Sequence, residues 1–484
     1  MRTLFLNPPS FKRYDGAGTR FPATRKVKGM FYPVWLCYAA GLVPESRVLD
    51  CPAEEVDINY LIKLIEREDY ELVVVYTTTP TIMNDLRVAH IIKEVNEDIR
   101  IAFTGPHVSV RPEDALKSSA VDFVARKEFD YTIMELTIGK DIKEIKGLSW
   151  KKDGKIIHNP DRPFIEDLDA LPFVTAIYKR DLPIKAYRLP QILHPYVSTY
   201  TGRGCPFRCT FCLWPQTFMG RRYRVRSPQN VAKEVEFIKS ELPQVEEILF
   251  EDDTLTANPS RVEKICELIK PLDVTWSANA RADVPYKTLK KMKEAGCRLL
   301  IVGFESGDQT ILNNVKKGIT IERMKQFARD CHKVGIMVYG CFIIGLPGET
   351  KETIEKTLKL AIELDCDLLQ CNVAMPLPGT EFYEYCLEHG YLRDSKYLDE
   401  HGYQSCVIEY PDLSAKEIVD AVDDFHRRFY YRPHYILKLL KQVMRDRREF
   451  KRIMVSGIEF QKYMAERYTR RILLKLSLLK EKIR

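Results

Sequence analysis

What most constrains this chain is that its strand-like runs come singly, each followed by a helical stretch. Leu72–Tyr76 is the clearest of them. It is five apolar residues, three of them valine, without polar alternation, as a strand buried on both faces requires. Residues 3–6, 47–50, 100–103 and 121–124 are comparably short apolar runs. Between them lie helix candidates over Val34–Leu42, 56–66 and 81–94; the second puts Ile58, Leu61, Ile62 and Ile65 on one face. Parallel strands need a crossover of this length, so residues 1–145 are expected to form a doubly wound, Rossmann-like parallel sheet. Residues 147–157 turn at Asp153-Gly154 and read as a hairpin, which makes 146–195 a hairpin and linker. A second series then begins. Strands are expected at 196–200, 245–250, 274–279, 299–304, Met337–Ile344 and Leu368–Val373. Six βα units suit a partial (β/α)6 barrel over 196–400, with its working residues at the C-terminal strand ends. Residues 401–484 are expected to be helical, with Ser414-Ala415-Lys416-Glu417 as a capping box.

A chain of 484 residues has room for two or three such units. Thirteen cysteines, an odd number scattered over that length, do not make a secreted disulfide framework and suit a reducing compartment. The apolar run after Met1 is too short for a secretory leader, and no stretch reaches the length of a membrane span, so a cytoplasmic location is expected. The net charge of +7 belongs to the tail: residues 432–484 hold 16 Lys plus Arg against 5 Asp plus Glu. In that tail Ile436, Leu437, Leu440, Val443 and Met444 form one apolar stripe, and Ile472, Leu476, Leu479 and Ile483 another. Arg445, Arg447, Arg448, Lys451, Arg452, Arg470, Arg471 and Lys475 surround them. Such helices can lie on an anionic membrane, pack on the barrel with their charges solvated, or bind nucleic acid.

Directly after the first strand of the second series come Cys205, Cys209 and Cys212, spaced C-x3-C-x2-C. Three thiolates leave one iron of a [4Fe–4S] cluster open to a small molecule. A closed zinc site would need a fourth Cys or His, and none follows closely; the nearest upstream is His194. Polar residues then recur at successive strand ends: Glu251, Asp252 and Asp253, then Asn279 and Arg281, then Glu305 and Ser306. Any one of them alone reads as a helix cap or a solvated loop charge. Their recurrence, continued by the glycine-rich stretch from Gly340 through Gly345 to Glu349, points to a ligand pocket above the cysteine loop. Glu251 and Glu305 lead that set, with Asp253 behind. Cys341 and Cys371, inside strands, read as small buried hydrophobes; a thiol there could also return a hydrogen atom to product.

C-x3-C-x2-C with Phe211 before the last cysteine resembles the signature of the radical S-adenosylmethionine (SAM) superfamily. The resemblance implies that Cys205, Cys209 and Cys212 hold the cluster and that its open iron binds the amino and carboxylate groups of SAM. One electron then cleaves SAM to methionine and a 5′-deoxyadenosyl radical, which abstracts a hydrogen atom. Phe211, Glu251, Asp253, Asn279, Glu305, Ser306 and Gly345 would line the SAM site. The first segment, with Asn7-Pro8-Pro9 after its first strand and the turn Thr104-Gly105-Pro106-His107, resembles the cobalamin-binding-type domain found ahead of many such barrels. That family places its lower cobalt ligand in D-x-H-x-x-G. Here the matching place reads Asp50-Cys51-Pro52-Ala53-Glu54-Glu55, without the His or the Gly. Two readings follow: cobalamin binds without a protein ligand, or the domain has lost it. His107 is a substitute ligand on one reading and a polar loop residue on the other.

Over its whole length the chain is similar to the hopanoid-biosynthesis-associated radical SAM protein J and to calditol synthase. The similarity is carried by residues 2–11, 209–217, 223–228 and 303–307. It implies ring closure on the polyol head group of a hopanoid or tetraether lipid, giving a cyclitol or cyclopentyl ring. The basic tail would touch the membrane from the cytoplasmic side, and ferredoxin or flavodoxin would donate electrons. Nucleic acid is not an expected partner. The alternative is a cobalamin-dependent radical SAM C-methyltransferase, which would contain a corrinoid and release S-adenosylhomocysteine.

Overall fold

The computed structural model describes residues 1–11, 29–393, 396–398 and 404–483, without the side chains of Arg445, Arg467, Tyr468 and residues 470–483. Five parallel strands form the body of the first sheet: β1 (Thr3–Asn7), β2 (Ser46–Asp50), β3 (Leu72–Tyr76), β4 (Arg100–Thr104) and β5 (Phe123–Ala125). The hairpin β6 (Leu148–Lys152) and β7 (Lys155–His158) extends it antiparallel from β5. The order β2-β1-β3-β4-β5-β6-β7 reverses direction between β1 and β3, and a doubly wound sheet binds its ligand at the strand ends beside such a switch. Side chains alternate between faces. Leu4, Leu6, Val73 and Val75 pack under the outer helices, while Phe5, Leu72, Val74 and Tyr76 enter a second core shared with the barrel.

The second sheet is wholly parallel. Its strands are β8 (Tyr196–Thr199), β11 (Glu247–Phe250), β12 (Trp276–Ala280), β13 (Cys297–Glu305), β14 (Met337–Ile344) and β15 (Leu368–Val373), hydrogen-bonded in that order. β8 and β15 are its two edges, so the barrel is open, as six βα units predict. Between β8 and β11 the short antiparallel ribbon β9 (Gly202–Arg203) and β10 (Arg224–Val225) brackets the cysteine loop. The linker joins the sheets through aromatic stacking. Tyr32 lies between Tyr178 and Tyr187, with centroids at 4.2 and 3.9 Å, and its hydroxyl donates to the Tyr196 carbonyl at 2.7 Å.

The C-terminal helices are Ala415–Tyr430, Pro433–Arg445 and Arg447–Ile483, and the Ser414–Glu417 capping box forms as expected. Ala415–Tyr430 packs along β15, where Cys371 N–H donates to His426 Nε2 at 3.3 Å, and the last two close the end of the barrel opposite the cysteine loop. Arg298, at the start of β13, pairs with Glu247 at 3.0 Å and with Glu449 at 2.6 Å. Tyr435 donates to the Asp367 carbonyl at 2.9 Å, and Arg452 to the Pro190 carbonyl at 3.0 Å. Part of the basic tail therefore holds the fold together. Ile436, Leu437, Leu440 and Met444 of the first stripe are exposed. The side chains of the second stripe (Ile472, Leu476, Leu479, Ile483) and of Arg445, Arg470, Arg471 and Lys475 lie outside what the structure describes. Among the described residues no helix is long and apolar enough to cross a membrane.

Candidate functional site

The cysteine loop is held by its backbone. Gly204 has φ +85°, and a Cβ there would sit 2.3 Å from the Arg222 carbonyl oxygen, so the turn into the loop requires glycine. Thr210 N–H donates to the Val315 carbonyl at 3.1 Å, and the Thr210 carbonyl accepts from Phe382 N–H at 3.1 Å. Gln216 Nε2 bridges the Thr210 and Cys212 carbonyls at 3.0 and 2.7 Å. Of the thirteen cysteines, only Cys205, Cys209, Cys212 and Cys341 escape full burial. Burial pushes the others away from thiolate chemistry, as for Cys266, raised to about 12. Among the described residues no three His, Cys, Asp or Glu side chains converge on a single ion. A cubane has a different requirement, because each of its three thiolates binds a different iron. Three partly exposed thiols on one pinned loop fit that donor set.

The strand ends contribute unequally. Asp252 is buried and accepts from Thr201 N–H and Thr201 Oγ1, both at 2.6 Å, and from Tyr223 OH at 2.5 Å. It anchors the ribbon, and its neighbours Glu251 and Asp253, just past the end of β11, are half-buried. Asn279 Nδ2 donates to the Glu251 and Asp252 carbonyls at 3.2 and 3.1 Å, which fixes the end of β11. Arg281 stacks on Phe207 of the cysteine loop at 3.6 Å and donates to the Lys317 carbonyl at 3.1 Å. Glu305, at a register shift between β13 and β14, is left-handed with φ +66°. Its carboxylate accepts from Lys317 Nζ at 2.7 Å. Burial pulls the Lys317 ammonium down, but attraction from Glu305 and then Cys209 outweighs it, so the group stays charged. The ends of β11, β12 and β13 thus meet the cysteine loop.

Two more of the anticipated residues make contacts within the protein. Ser306 is buried, and its hydroxyl lies 3.3 Å from Thr357 Oγ1 and accepts from Asp308 N–H at 3.2 Å, which shapes the turn after β13. Gly345, with φ +99°, lies beside Ile418 and Ala374, and its carbonyl accepts from Tyr410 OH at 2.8 Å. Its N–H donates to Glu349. Phe211 is half-buried against the core. Lys317 was not recognisable from the sequence: it follows Glu305 by 12 residues in a Lys-Lys-Gly loop that carries no motif.

On the first sheet the matching of Asp50–Glu55 to D-x-H-x-x-G has a backbone counterpart. Glu55, where the family has glycine, is left-handed with φ +56°. Pro52 occupies the histidine position. Asp50 accepts from Asn7 Nδ2 at 2.7 Å and from Tyr187 OH at 2.6 Å, and burial raises it to about 6. His107 has Nδ1 3.0 Å from Thr79 Oγ1 and Nε2 3.3 Å from Asp114, so both ring nitrogens face protein groups. Its pKa is lowered by burial. Thr104 Oγ1, at the end of β4, is buried without a hydrogen-bond partner and offers a polar contact at the sheet's ligand edge. These residues fit a corrinoid whose cobalt takes no imidazole from this domain.

Two family models match this chain: the radical SAM superfamily over residues 199–361 and the B12 binding domain over residues 22–137. An uncharacterized methyltransferase of Pyrococcus horikoshii is 33% identical over 449 residues, spanning 90% of this chain and 94% of that protein. Among solved structures, the radical SAM methyltransferase TsrM from Kitasatospora setae superposes with a TM-score of 0.68 at 17% identity, covering 88% of this chain and 89% of that one. The cobalamin-dependent SAM radical enzyme OxsB gives 0.65 at 15% identity, covering 97% and 75%. The two structures share the fold. These findings correct the expectation of ring closure on a membrane lipid: a relative 33% identical over nearly the whole chain is an uncharacterized methyltransferase, the TsrM structure is that of a methyltransferase, and the hopanoid or calditol subgroup is not shown. The domain pair carries a [4Fe–4S] cluster with SAM on the barrel and cobalamin on the first sheet. The chain belongs to the radical SAM superfamily, as an enzyme with a B12-binding domain ahead of its barrel.

Proposed function

We propose that this enzyme is a cobalamin-dependent radical SAM C-methyltransferase. The observation that carries the reading is the full-length similarity to a methyltransferase, 94% of which is spanned. The balanced reaction consumes one substrate C–H, two SAM and two electrons. It yields the C-methylated product, S-adenosylhomocysteine, 5′-deoxyadenosine and methionine. The hydrogen atom leaves with 5′-deoxyadenosine, and one SAM gives up its methyl group. A ferredoxin- or flavodoxin-type donor supplies the electrons. Cobalamin, when bound, carries the methyl group between SAM and substrate.

The residues divide the work as follows. Cys205, Cys209 and Cys212 hold the cluster. Glu251 and Asp253 offer carboxylates to the SAM amino group, and Asn279 keeps their strand end in place. The Glu305–Lys317 pair brings a negative and a positive charge to the loop in balance, so the pocket gains polarity without net charge. With Pro52 in the histidine position, the first domain would hold a corrinoid without offering an imidazole there.

The test needs no substrate. Protein reconstituted with cluster and cobalamin is given SAM and a reductant. Both S-adenosylhomocysteine and 5′-deoxyadenosine should form. Cys209→Ala should lose the 5′-deoxyadenosine, and omission of cobalamin should lose the S-adenosylhomocysteine. Cobalamin-loaded protein that forms 5′-deoxyadenosine alone would refute the reading.

A further inference from the structure

The ribbon that frames the cysteine loop is bolted to the B12-binding domain by two buried arginines. Arg203 on β9 donates from both terminal nitrogens to Asp130, at 2.9 and 3.0 Å. Arg224 on β10 donates from both to Glu128, at 2.7 and 2.6 Å. The four residues are 2, 3, 5 and 2% exposed, in the order Arg203, Asp130, Arg224, Glu128. Both carboxylates follow directly on β5, at the edge where the first sheet's strands end. Lys127, with φ +57°, makes the turn that brings Glu128 round. Arg203 also lies over Trp35 and Tyr38 at 5.1 and 4.7 Å, and Arg224 over Phe164 at 4.9 Å.

Two features separate this arrangement from ordinary domain packing. Arg203 and Arg224 are direct cross-strand partners, and like charges opposite one another destabilise a ribbon. Among the described residues, the carboxylates that pair with these two arginines come from the other domain. Buried ion pairs are also poor stabilisers, because desolvation offsets their attraction and apolar residues of similar volume often do as well. What a planar guanidinium on a carboxylate adds is a fixed distance and angle.

We propose that Arg203, Arg224, Glu128 and Asp130 are positioning residues that hold the cysteine loop at one distance and angle from the corrin face. Transfer of the SAM methyl group to the corrinoid depends on that placement. SAM cleavage at the cluster depends only on the loop itself. The proposal rests on the methyltransferase reading, and its test separates the two.

Arg203→Lys/Arg224→Lys keeps both charges but loses the forks. Arg203→Met/Asp130→Leu replaces one pair by apolar volume and keeps the core filled. Each is reconstituted with cluster and cobalamin. Three quantities are read: hydrogen exchange of residues 202–226 without SAM, the cobalt-to-cluster distance distribution by pulsed electron paramagnetic resonance, and S-adenosylhomocysteine formed per 5′-deoxyadenosine. The expected result is exchange at least tenfold faster, a broadened distance distribution and a product ratio at least tenfold lower, with 5′-deoxyadenosine formation within about threefold of the parent. A variant that folds and keeps the parent's distance distribution and ratio overturns the proposal, even if its exchange is faster, because the role would then be structural only. If one variant does not fold, the other decides. If the parent forms no S-adenosylhomocysteine, the methyltransferase reading fails, and the distance distribution alone decides the positioning role.

Discussion

Glu349 offers a quantitative test of the barrel's electrostatics. It is 4% exposed, and its Oε2 accepts from Leu346 N–H at 3.2 Å and also from Gly345 N–H, while Oε1 is buried without a partner. Burial raises the carboxyl from 4.5 to about 8, more than the two backbone donors pull it down. The folded protein therefore keeps this proton at neutral pH while the unfolded chain has lost it. The sign follows from linkage. Between pH 4.5 and 8 the folded state binds more protons, so stability falls as pH rises, and the full loss is reached above pH 8. At about 1.4 kcal/mol per pH unit, the group should remove on the order of 3 kcal/mol between pH 5.5 and 8. Glu349→Gln keeps the shape and the accepting oxygen but cannot ionise. Its unfolding midpoint relative to the parent should climb by several degrees across that range, whatever its offset at pH 5.5. Thermal unfolding of both proteins in matched buffers at half-unit steps measures the difference, and other titrating groups cancel in it. A difference that stays flat with pH would refute the assignment of a protonated Glu349.

The remaining predictions concern the two cofactor faces. Lys317→Met leaves Glu305 buried without its cation and should destabilise the protein by about 3–5 kcal/mol. Adding Glu305→Gln should recover most of that loss, as read by denaturant unfolding. In the cobalt(II) state the electron paramagnetic resonance spectrum should show no splitting from a protein imidazole, and His107→Ala should leave it unchanged; a nitrogen splitting that disappears in that variant would show His107 on the metal. Gly204→Ala, placed at φ +85° against the Arg222 carbonyl, should lose iron incorporation while leaving cobalamin binding in place.

The fold was legible because a buried parallel strand is a local property. Runs such as Leu72–Tyr76 and Met337–Ile344 state their own burial, and alternation with helices leaves few topologies open. The cysteine loop was legible for the same reason, since its three ligand candidates lie within eight residues. What joins the domains was not. Arg203 meets Asp130 across 73 residues and Arg224 meets Glu128 across 96, and nothing near either arginine marks it as buried. The same holds for Lys317, twelve residues beyond its partner Glu305. Residue type at a strand end also left its use undecided, because Asp252, Asn279 and Ser306 turn their polar atoms to the protein's own backbone and side chains. The lipid reading drew on the tail's charge, yet Arg452 contacts Pro190 and Lys438 pairs with Asp365 and Asp367 at 3.1 and 3.0 Å, so several of those cations secure the closed end of the barrel.

Methyl transfer to carbon is tested most directly by following the methyl group itself. Reconstituted enzyme, SAM carrying a trideuterated methyl group and a reductant are added to extract of a strain lacking the protein, and metabolites are compared by mass with and without cobalamin. A metabolite that gains an intact trideuteromethyl group only when cobalamin is present is the predicted result. An unlabelled product lighter by two hydrogen atoms, as ring closure would give, would contradict the account.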